Sequence, residues 1–137
     1  MRTNRSDSLE EMAEMTCQIK FEYQYRDGAN YKRFSVLIFE NPLNRSAVEV
    51  ESKIRSTLID ETWFVADQVG IPELFLFSDA PVTEHDHCLH EFVSVDVVVN
   101  DSVAQLVGSI ETLLEKFESS FSTGWKEFDP LERYANS

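Results

Sequence analysis

From Ser56 to Glu115 the chain has no lysine and no arginine, although twelve carboxylates fall in the same stretch. Phosphate contact needs basic groups, so this half is not expected to bind nucleic acid. The scarcity is local. Residues 1 to 55 hold nine Lys/Arg and nine Asp/Glu, so the net charge of −13 is carried by residues 56 to 137. Such a one-sided field suits a cation or a basic protein surface as partner, and it also keeps a domain dispersed without any partner. Glycine and proline are sparse at four each, which excludes low-complexity and collagen-like chains. No apolar run approaches the roughly 20 residues of a membrane span. The polar opening, Met1 to Ser8, has no apolar core of the kind a secretory signal carries, so a cytoplasmic protein is expected. There are only two cysteines, Cys17 and Cys88, in neither a redox nor a metal-ribbon spacing. In a reducing compartment they are expected to be free thiols.

What is present is enough for one core. A chain of 137 residues with 42% hydrophobic and 12% aromatic content has the size and composition of a single globular domain. Residues 1–15 read as a mobile tail, 16–121 as the domain, and 122–137 as a C-terminal tail whose aromatics dock on the body or on another chain.

From Cys17 the side chains alternate. Ile19, Phe21, Tyr23 and Tyr25 share one face, and Lys20, Glu22, Gln24 and Arg26 the other, as in a half-buried antiparallel strand. Asp27-Gly28-Ala29-Asn30 has hairpin chemistry, with a return strand from Tyr31 to Phe39. Ser46 and Glu49 form a capping box for a helix reaching about Leu58. Trp63 to Ala66 and Leu74 to Phe77 are apolar enough for short strands. Glu91 to Val99 reads as a long strand with Val93, Val95, Val97 and Val99 on one face. Ser102 and Gln105 have capping-box spacing, and apolar positions from Val103 to Phe121 recur at helical intervals, predicting one long helix closed by Gly124. The order ββα(β)ββα predicts an α+β fold of two layers. Its mainly antiparallel sheet has four to five strands and two helices on one face, with one parallel pairing left open.

All three histidines lie within six residues, in Glu84-His85-Asp86-His87-Cys88-Leu89-His90-Glu91. In extended chain His85 and His87 share a face, and a turn could bring His90 to them. Zinc or another divalent metal would then find three imidazoles, with Asp86 or Glu91 as oxygen donor or orienting group. Loop histidines that are simply packed and hydrogen-bonded are the commoner case, and the spacing matches no established zinc pattern. Acid–base work is chemically open to a His-Asp pair. No nucleophile elbow, phosphate loop or dinucleotide fingerprint accompanies it, and carboxylate neighbours push a thiol such as Cys88 away from reactivity. The hairpin forms a second cluster, in which Tyr25, Arg26, Asn30 and Tyr31 could form a recognition surface.

Tyr23-x-Tyr25-Arg26-Asp27-Gly28-x-Asn30-Tyr31-Lys32, together with Asp86-His87-x-x-His90-Glu91-Phe92, resembles a family of small uncharacterised bacterial proteins with YxYRDxxNYK and DHxxHEF segments. The resemblance covers residues 20 to 95 and implies no activity or cofactor. Its pattern includes His87 and His90 but not His85, and it has an aromatic where this chain has Leu89. It therefore implies a two-histidine feature near Asp86 and Glu91. The expectation is a non-enzymatic binding or interaction domain with no cofactor, meeting a basic partner surface through the acidic face of its second half or forming a homodimer through its last helix or aromatic tail. The alternative is a metal-dependent protein, such as a hydrolase, centred on His87 and His90.

Overall fold

The computed structural model describes residues 18–75, 86–99 and 106–134. The N-terminal tail, Cys17, His85, Leu76 and Phe77, and the capping pair Ser102 and Gln105 lie outside those residues.

The fold is α+β. Strands β1 (Gln18–Arg26), β2 (Lys32–Glu40), β3 (Trp63–Val65), β4 (Leu89–Val98) and β5 (Leu106–Ser109) form one mixed sheet in the order β3-β4-β1-β2-β5. All neighbours are antiparallel except β2 and β5. The hairpin forms as its chemistry demands. Asn30 takes a left-handed φ of 73°, and the Asp27 carboxylate accepts the backbone N–H groups of Ala29 and Tyr31 at 2.9 and 3.0 Å.

Helix α1 (Ala47–Arg55) starts at Ser46, whose hydroxyl accepts the Glu49 N–H at 3.1 Å, and it ends short of Leu58. Helix α2 corrects the sequence reading. It spans Ile110–Thr123 and is capped by Ser109, so Leu106 and Val107 belong to β5 and not to the helix. Two effects oppose the longer helix: Gly108 at φ 144° has no place in a helix interior, and the 106–109 segment pairs with the otherwise open end of β2. Leu74 and Phe75 form no strand. The first helix packs over β4, and the second over β5 and the 3-10 turn Asp67–Val69.

One core unites these elements. Ile19, Phe21 and Tyr23 of β1 meet Val50 and Ile54 of α1 and Ile110, Leu113 and Phe117 of α2. Phe21 is its hub, with the rings of Tyr23, Phe39, Phe64, Phe92 and Phe117 at 5.5–6.4 Å from it. Burying a ring of this kind stabilises by about 2–3 kcal/mol. Arg45 ties the two helix starts together by pairing with both Glu49 and Glu111. Its guanidinium holds the Glu111 carboxyl below the usual range.

The long strand β4 departs from simple alternation. Glu22 faces Ser94 but Tyr23 faces Phe92, so Val93 has no partner and forms a β-bulge. Past the bulge the faces exchange. Phe92 and Val95 are both buried, whereas Val93 is exposed, contrary to the expected valine face.

Beyond Thr123 the chain crosses back over the body. Trp125 packs on Phe117 and donates from its indole N–H to the Thr57 carbonyl at 2.8 Å. Gln68 bonds both the Gly124 carbonyl and the Lys126 N–H. The Phe128 N–H reaches the Cys88 Sγ at 3.3 Å before the short helix α3 (Pro130–Tyr134). Among the described residues no helix is long and apolar enough to cross a membrane.

Candidate functional site

The bulge at Val93 sets the site. With the faces exchanged, His90 points with Phe92 into the core, and its side chain is fully buried. The rings of Tyr23, Tyr25, Phe64 and Phe75 surround it at 5.1–6.1 Å. Its Nε2 accepts the Leu74 N–H at 2.9 Å, so the proton of the neutral ring sits on Nδ1, which lacks a well-formed hydrogen bond among the described residues. The Leu74 N–H is thereby satisfied by an imidazole and not by a neighbouring strand. Burial drives the His90 pKa down to about 4; the Cys88 backbone works weakly in the other direction.

His87 lies one turn earlier, half-buried and equally engaged. Its Nδ1 accepts the Leu89 N–H at 3.1 Å and its Nε2 lies 2.7 Å from the Arg26 carbonyl, which can only accept. The ring is therefore the neutral Nε2–H tautomer. The edge of Trp63 closes over it at 6.2 Å.

Tyr25 joins the hairpin to this segment. Its buried hydroxyl donates to the Asp86 carboxylate at 2.7 Å and accepts the His87 N–H at 3.1 Å. Burial, reinforced by Asp86, raises the phenol pKa well above its ordinary value. On the opposite face of the sheet Arg26 grips Glu91 through Nε at 3.0 Å, and its Nη1 donates to the Asn30 side chain at 2.8 Å. Gln24 supplies a further bond to Glu91 at 2.8 Å.

The two segments picked out by sequence are therefore one structure. Tyr25, Arg26 and Asn30 meet Asp86, His87, His90 and Glu91 through direct hydrogen bonds or ring contacts. Tyr31 stays apart at 69% exposure, contributing only backbone bonds to the turn. Sequence reasoning missed Gln24, Trp63 and the Leu74 amide. Gln24 could have been found, because it shares the outward face of β1 with Arg26; the Leu74 amide leaves no trace in residue type. Cys88 is buried, and burial raises its thiol pKa.

Chemically, a metal or a proton would need an imidazole lone pair. Each ring offers one, at Nδ1 of His87 and Nε2 of His90, and each already receives a backbone N–H. Among the described residues no group of three or more His, Cys, Asp and Glu side chains is placed to hold a metal ion.

No protein-family model, curated protein or solved structure matches the chain.

Proposed function

We propose that the protein is a non-catalytic interaction domain whose partner surface is the open face of its sheet, and that the partner is a second copy of the chain. The observation that carries this reading is the exposure of Phe34 and Val36, 63% and 47%, in one row on that face toward the hairpin end of β2. Both stand on the side of β2 opposite the core, across from Gln24 and Glu22 of β1, and Ile38 continues the row across from Lys20.

Charge selects the occupant. The three longest strands place three basic side chains on this face (Lys20, Arg26, Lys32) and four acidic ones (Glu22, Glu40, Glu91, Asp96). The face is thus close to neutral in a molecule of net charge −13, so two copies meet here with the least repulsion. Lys20 and Glu22 are neighbours on it, and a two-fold axis between their rows sets each against the other's copy. Strand spacing gives a footprint of about 15 by 30 Å per copy, at the small end for a specific interface, so a reversible dimer is expected.

Sedimentation velocity over micromolar to high-micromolar concentrations tests this. The native chain is expected to pass from monomer to dimer, and Val36→Lys to remain monomeric with an unchanged circular dichroism spectrum. A native chain that stays monomeric throughout, or a dimer that Val36→Lys leaves intact, rejects the reading.

A further inference from the structure

On the core side of the sheet, between β2, β5, the 70–72 loop and α2, lies a cleft of about 310 Å³. Leu37 and Phe39 of β2, Ile71 of the loop and Leu113 of α2 wall it with hydrocarbon, and Thr112 and Lys116 stand one helical turn apart along its rim. Its volume is at the lower limit of small-molecule sites and suits a ligand of roughly ten to fifteen heavy atoms.

Lys116 is exposed to solvent and is the one charged residue among those that line the cleft. It is the first cation after Arg55 in the sequence, and among the described residues it has no ion-pair or hydrogen-bond partner. Its side chain is laid across Gly70: a Cβ at that position would meet Nζ at 2.7 Å and Cδ at 3.6 Å. Gly70 has φ +77°, closing the 3-10 turn in a left-handed conformation that glycine adopts without strain. The same residue both ends the turn and makes room for the ammonium at the mouth of the cleft. A hydrocarbon-walled cleft with such a cation at its rim is complementary to an apolar body bearing one negative charge.

We infer that this cleft is a binding site for a small monocarboxylic acid, with its apolar body between Leu37, Phe39 and Leu113 and its carboxylate on Lys116. Thr112, one turn before Lys116 on the same helix, also lines the cleft and supplies a hydroxyl for the second carboxylate oxygen. The site lies on the helix-bearing side of the sheet and is independent of self-association through the open face.

Octanoate, 1-octanol and octylamine share a body and differ in head charge, so they test the assignment in amide-resolved NMR titrations of the native chain. Octanoate is expected to give saturable shifts concentrated at Gly70, Ile71, Thr112 and Lys116, with an affinity about tenfold above the alcohol and further above the amine. That preference corresponds to about 1.4 kcal/mol. Lys116→Met, a surface change that leaves the core intact, is expected to equalise acid and alcohol, and Lys116→Arg to keep the preference. Absence of saturable shifts with octanoate, or an acid preference unchanged by Lys116→Met, overturns the proposal.

Discussion

His90 occupies a position where a hydrocarbon side chain would be the ordinary choice, and its energetic consequences follow from being neutral there. In the unfolded chain it titrates near the usual 6.5, whereas burial holds the folded pKa at about 4. The unfolded state therefore binds the proton first as pH falls, so the stability contributed by the neutral ring is whole above 6.5 and is lost between 6.5 and about 4. Between pH 7 and 5 the loss is about 2 kcal/mol from this residue alone. His90→Gln keeps an acceptor for the Leu74 N–H and removes the titration, so the pH 7-to-5 drop in denaturant-unfolding stability should shrink by about that amount. An equal drop in both chains would mean that other groups carry it. The sequence showed three histidines close together but not which way each faced. His85 lies outside the described residues, the orientation of His90 follows from a single unpaired residue, Val93, that no spacing rule marks, and His87 is held before the strand by the Arg26 carbonyl and the Leu89 N–H.

Helix starts illustrate the same limit one level up. The Ser46 box was legible because its side-chain bond is local and the sequence around it holds no competitor. At the second helix, apolar residues on both sides of Gly108 fall in helical register, so periodicity alone carries the helix back to Val103. The partner that claims 106–109 is β2, far earlier in the chain, and a window along the sequence cannot see it. Thermal melting distinguishes the two descriptions by sign. Ser109→Ala removes the hydroxyl that accepts the Glu111 N–H and should cost about 1 kcal/mol, lowering the midpoint by about 3–5 °C. Inside a continuous helix the same substitution would be neutral or slightly stabilising. The hairpin and the antiparallel character of the sheet were legible for the opposite reason: Asp27 to Asn30 fixes the pairing of its own flanks. The face of β2 turned to solvent was not, since Phe34, Val36, Leu37 and Phe39 are alike in type and only register tells them apart.

For the whole molecule, charge is the dominant long-range fact. Two copies at −13 repel each other through solvent, and the near-neutral sheet face lowers that repulsion without removing it. Added salt should accordingly strengthen self-association: raising sodium chloride from low to physiological ionic strength is expected to lower the dimer dissociation constant in sedimentation equilibrium. A basic partner bound through the acidic half would show the opposite salt dependence, so the sign of the slope separates the two kinds of complex. The segment after Thr123 closes over the histidine segment from outside the sheet and the long helices. Phe128 packs its ring against Phe75 and gives its N–H to Cys88, flanking the histidine segment with residues made after every strand and both long helices. The rings that pack on His90 all precede Thr123, and the segment after it adds a second layer by covering Phe75 and Cys88. A chain cut after Thr123 would keep the strand ladders and both long helices yet leave Phe75 and Cys88 without the cover of Phe128, so truncation there uncovers a ring face that the longer chain hides.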